Sequence, residues 1–96
     1  MSAVRTHTYR VVPENLDALL EQRATLIAGI RAANPGLLET CLTRHDDGTY
    51  TDVWRWDSAE HMNVALAAAA AFPLVAATLA LTQEASVQNG EVIDLR

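Results

Sequence analysis

The chain has 96 residues, half of them apolar, with 12 acidic side chains against seven arginines, no lysine and a net charge of -5. That balance argues against a nucleic-acid binder, which leaves a basic stripe. No apolar run approaches the roughly 20 residues of a membrane span, and residues 1–10 carry no apolar core of signal-peptide type, so the expectation is one cytoplasmic domain over residues 1–96. A domain of this size buries only roughly 60 to 70 per cent of its unfolded surface, and association would add to that. Cys41 is alone, which leaves no intrachain disulfide, and the Cys and His spacings match no metal motif. It reads as a small apolar core residue.

In chain order, Val4 to Val12 alternates Thr6, Thr8 and Arg10 against His7, Tyr9 and Val11, a strand pattern that Pro13 ends. From Glu14 to Ala33, Leu16, Leu19, Leu20, Ile27 and Ile30 recur at helical spacing. Arg23 interrupts that stripe. Its expected place is the margin, head in water, and the inward alternative gives it an anion to bind. Asn34-Pro35-Gly36 stops the helix, and a second strand runs from Leu37 to His45. Asp46-Asp47-Gly48 supplies positive φ angles for a tight hairpin into a third strand, Thr49 to Trp56.

The third strand sets Tyr50, Asp52, Trp54 and Trp56 on one face and Thr51, Val53 and Arg55 on the other. Asp57 as N-cap with Glu60 three positions on makes a capping box, so His61 and Asn63 open a helix beside two indoles. Met62, Ala65, Leu66 and Ala69 form its apolar face, and the alanines 67–71 either pack it closely on the sheet or leave a hollow beneath it. Pro73 divides this region into helices ending near Ala71 and Leu81. Glu84 to Leu95 reads as a fourth strand with a bulge at Asn89-Gly90.

The order β-α-β-β-α-β is the ferredoxin-like α+β plan, an antiparallel sheet with its helices on one face. Both strand faces carry apolar groups, so something must cover the second face. A second copy of the chain is the simplest cover.

Three stretches carry a resemblance: V-V-P-E-N-L-D-A-L-L at the first helix, N-P-G-L-L-E-T before the second strand, and D-G-T-Y-T-D-V-W-R-W-D-S-A-E-H at the third strand and its junction. Together they resemble the antibiotic biosynthesis monooxygenase-like domain of the dimeric α+β barrel superfamily, over nearly the whole chain. The resemblance implies a homodimer through the sheet and a pocket between sheet and helices in each subunit. It also implies a monooxygenase that uses no cofactor and acts on aromatic or polyketide-like small molecules. Such chemistry asks for a group that takes or steers a proton, donors for an oxyanion, and an apolar pocket. The candidates are His7, His61 and Asn63 for catalysis, and Tyr9, Arg23, Trp54 and Trp56 for substrate binding, with Trp54 as the stacking partner. Parity alone leaves open which strand faces line the pocket. The stretch from Val64 to Leu81 holds no His, Trp, Tyr or Cys, which argues against the haem-degrading branch. A non-catalytic ligand-binding or assembly domain, and a cofactor-free isomerase or cyclase, are the alternatives on the same fold.

Overall fold

The computed structural model describes all residues from Met1 to Arg96. In chain order they form β1 (Ala3–Arg10), α1 (Leu16–Ala33), β2 (Leu37–Arg44), β3 (Tyr50–Trp56), α2 (Ala59–Ala69), α3 (Pro73–Leu79) and β4 (Gln83–Glu91). The sheet order is β2-β3-β1-β4, with every neighbouring pair antiparallel. This is the expected ferredoxin-like α+β arrangement.

The element ends differ from the sequence expectations for physical reasons. Pro13–Asn15 form a tight 3-10 turn before α1, because Pro13 donates no backbone hydrogen bond and the chain enters the helix from an extended Val12. At the hairpin only Gly48 takes a positive φ, of 87°. Asp47 instead holds the turn by accepting hydrogen bonds from the backbone N–H and hydroxyl of Thr49. The cap of α2 is Ser58, not Asp57: the Ser58 hydroxyl accepts from the backbone N–H of His61 at 3.1 Å. The capping box with Glu60 therefore does not form, since the cap sits one residue further along.

The bulge in β4 is also displaced. Asn89 and Gly90 pair in register with Arg5 and Val4, whereas the register shifts where Glu84 and Ala85 face Tyr9, and Glu84 has a φ of 54°. Arg10 pairs with Glu84 across that irregularity at 3.2 Å. β4 ends at Glu91, opposite Ala3, and one further backbone hydrogen bond runs from the Val92 N–H to the Ser2 carbonyl.

Register decides which residues face the helices. Four cross-sheet rows point inward: Leu37, Trp56 and Ala3; Thr40, Trp54, Arg5 and Asn89; Leu42, Asp52, His7 and Val87; and Arg44, Tyr50 and Tyr9. An irregularity between Leu37 and Glu39 switches the parity of β2. Cys41 falls on the outer face beside Val53 as a result, and it is exposed there instead of buried in the core. The buried core lies in two parts. Ala3, Ile27, Leu37, Trp56, Met62 and Ala65 pack together at one end of the layer, and Tyr9, Leu19 and Tyr50 at the other.

Candidate functional site

Between those two packed regions lies a cavity of about 240 Å³. Trp56 and Ala65 from one region and Tyr9 and Leu19 from the other form parts of its wall. The hollow has a simple origin. The inward face of α2 offers Ala65 and Ala69, whose side chains end one carbon from the backbone, and the chain then bends by 92° into α3 after Pro73 cannot continue the helix. Leu26 and Ile30 of α1 and Val75 and Leu79 of α3 complete an apolar roof.

The floor is polar at one end. Asp52 is 5% exposed, and both its oxygens are engaged. Arg23 reaches across from α1 with Nε at 3.0 Å and Nη2 at 2.8 Å, Tyr9 donates its hydroxyl at 3.1 Å, and the indole N–H of Trp54 donates at 2.9 Å. The position of Arg23 is therefore a correction to the solvent-facing expectation: it turns inward, and the anion it binds is Asp52 of its own chain. A guanidinium in the apolar stripe of a buried helix face requires such a partner. Burial works against the charge on Arg23, but the hydrogen bonds and charge of Asp52 outweigh it and raise its pKa. Burial, reinforced by the negative charge of Asp52, raises the Tyr9 phenol well above its ordinary value, so Tyr9 stays a donor.

Beside this network, Arg5 donates through Nε to Nε2 of His7 at 3.1 Å and through Nη1 to Asn89 Oδ1 at 3.0 Å. Burial pushes the His7 imidazole below its ordinary value; the charge of Asp52 pulls the other way, and that of Arg5 adds to the lowering. His7 is held neutral near pH 7, with its proton on Nδ1 because Nε2 accepts from an arginine.

Of the sequence candidates, His7, Tyr9, Arg23, Trp54 and Trp56 all line this cavity. His61 and Asn63 do not, and their expected place at the pocket is corrected. They flank Met62 on α2 a helical step to either side, whereas the inward face runs through Met62, Ala65, Leu66 and Ala69. Asn63 is exposed. His61 points to the turn between α1 and β2, where its Nδ1 lies 2.7 Å from Asp57 Oδ1 beside Gly36.

No family model and no curated protein matches the chain. Solved structures do. SnoaB from Streptomyces nogalater, a cofactor-independent oxygenase, superimposes with a TM-score of 0.72 at 19% identity, over 98% of this chain and 95% of that one. An antibiotic biosynthesis monooxygenase superimposes with a TM-score of 0.72 at 20% identity, over 98% and 100%. A dimeric ferredoxin-like protein from an uncultured marine organism gives 0.72 at 15% identity, over 99% and 90%. The chain shares its fold with these proteins. At these identities the likeness is one of fold.

Two ionisable residues of the cavity escaped the sequence reading, Arg5 and Asp52. For Asp52 a signal existed. An acid between Tyr50 and Trp54 on one strand face, and an arginine breaking the apolar stripe of α1, are complementary charges in two surfaces that each need to be buried. For Arg5 the signal is only its parity with His7 and Tyr9.

Proposed function

We propose that the protein is a cofactor-independent monooxygenase of an electron-rich aromatic or polyketide-like small molecule. The observation that carries this reading is the composition of the cavity: an apolar chamber with two indoles in its wall, closed at the sheet by a neutral imidazole and a protonated phenol. A planar ring system fits against Trp54, whose orientation Asp52 fixes. Deprotonated, such a substrate is itself the reductant of dioxygen. When a ring methylene becomes a carbonyl, one oxygen atom enters that carbon and the other leaves as water, with the two hydrogens the substrate loses. The roles left to the protein are to hold the ring, to exclude bulk water and to donate a hydrogen bond to the substrate oxygen, for which His7 lines the cavity while the Tyr9 hydroxyl is spent on Asp52.

A second copy of the chain covers the outer face of the sheet in this reading. The likeness to a dimeric ferredoxin-like protein supports it, as do Leu38, 46% exposed on β2, and Cys41 and Val53 on the same outer surface.

The test is oxygen uptake with anthrone and quinol substrates, without added flavin or metal. One dioxygen consumed per quinone formed, with turnover lost in Trp54→Ala, is the expected result. A folded protein that consumes no oxygen across a panel of such compounds, yet is stabilised by them against heat, is a binding domain and not an oxygenase.

A further inference from the structure

We infer that Arg5 and His7 form an anion clamp at the polar end of the cavity, and that the ligand it takes is a hydroxyaromatic or enolic compound bound as its delocalised oxyanion. This rests on the oxygenase reading for its consequence and on the charges of the wall for its basis.

Of the seven arginines, Arg10, Arg23, Arg55 and Arg96 each pair with a carboxylate. Arg5 has no such partner, and it lines the cavity. The other charged groups of the wall are Arg23 and Asp52, which cancel in a bidentate pair at 2.8 and 3.0 Å. Tyr9 and His7 are both held neutral. No ionisable residue from α2 or α3 reaches the cavity, and α1 contributes only Arg23. The cavity of a protein with net charge -5 thus carries one uncompensated positive charge, between apolar walls that strengthen its field.

Donors are available to meet one anion. Arg5 spends Nε on His7 and one proton of Nη1 on Asn89, which leaves the other Nη1 proton and both on Nη2. The Nε–H of Arg5 occupies the lone pair of His7 Nε2, so the imidazole offers Nδ1–H, which has no partner in the protein. His7 is therefore a hydrogen-bond donor to the ligand and not its base. The hydroxyl proton of the ligand passes to solvent as it enters, and the oxyanion left behind is held by a cation and a neutral donor on adjacent side chains. For the oxygenase, this is the electron-rich form that dioxygen oxidises.

The probes are 4-nitrophenol, whose anion absorbs in the visible, and 4-nitroanisole, which has the same ring and no ionisable group. Both are titrated against the protein, with quenching of Trp54 and Trp56 fluorescence reporting occupancy. The expected result is that bound nitrophenol ionises at a pH lower by about one unit or more, so that its anion binds about tenfold more tightly than its acid. Arg5→Met, shown folded by circular dichroism, loses that preference, and Arg5→Lys keeps it. The inference is overturned if bound nitrophenol titrates unchanged or upward, if neither probe binds at millimolar concentration, or if the preference survives Arg5→Met. A lowered ionisation without oxygen uptake on anthrone removes the oxygenase and leaves the clamp. Oxygen uptake without the lowered ionisation does the reverse.

Discussion

Four hydrogen bonds from Tyr9, Arg23 and Trp54 end on the two oxygens of Asp52, and these donors come from β1, α1 and β3. Asp52 therefore ties the helix layer to the sheet at the cavity floor and fixes the indole that would stack on a ligand. Removing the carboxylate strands a guanidinium whose side chain is only 14% exposed. Asp52→Ala is expected to lower stability by about 3–5 kcal/mol in urea unfolding, and Asp52→Ala with Arg23→Met to recover part of that loss. Equal stability of the single and double variants would show that the pair is not the cause. His7 carries a pH dependence whose sign follows from its lowered pKa. In the unfolded chain it protonates near 6.5, in the fold only at lower pH. Its contribution to stability is full above 6.5 and is lost as the pH falls from there through the folded value. Urea midpoints measured between about pH 7 and about pH 5 should fall more steeply for the natural protein than for His7→Gln.

The strands and helices follow from periodicities that the sequence displays, and their joints follow from contacts that it does not. Gly36 and Gly29 illustrate the difference. A Cβ at Gly36 would lie 2.7 Å from Asp57 Oδ1 and 3.1 Å from His61 Cβ, because the start of α2 closes over the turn between α1 and β2 and Asp57 donates its backbone N–H to Gly36. At Gly29, inside α1, a Cβ would meet only the ring of Phe72 at 3.6 Å, an ordinary contact. Gly29→Ala is expected to raise stability by about 0.5–1 kcal/mol through helix propensity. Gly36→Ala is expected to lower it by about 1–3 kcal/mol through overpacking. Thermal unfolding of the two variants should shift in opposite directions, and a shift of the same sign would contradict the junction described. The same closure explains His61: its ring completes a joint, with Asp57 and Gly36, at a distance from the cavity.

At the scale of the whole molecule the helices cover one face of the sheet and leave Leu38, Cys41 and Val53 on the other. No single helix is long and apolar enough to cross a membrane. A stable dimer through that face buries about 1,200–2,000 Å², enough to exclude reagents from Cys41. Light scattering after size exclusion should give twice the chain mass, and Val53→Arg should give the monomer, with a Cys41 thiol that labels faster. A natural chain that runs as a monomer would leave the outer face without the partner proposed for it.

Alternation of side chains along β1 and β3, helical spacing from Leu16 to Ile30, the stop at Asn34-Pro35-Gly36 and the turn at Gly48 are local signals, written in neighbouring residues and legible without coordinates. They determined the ferredoxin-like order, and the alanines of α2 left open either close packing or a hollow. Which strand face lines that hollow, whether Arg23 turns in or out, and where α2 is capped depend on residues far apart in the chain. A bulge at Leu38–Glu39 reverses the parity of β2, a carboxylate on β3 draws in a cation from α1, and the Ser58 hydroxyl takes the cap that Asp57 also offered. Only the tertiary structure decides these, because each is a choice between two locally acceptable arrangements that a long-range contact makes unequal.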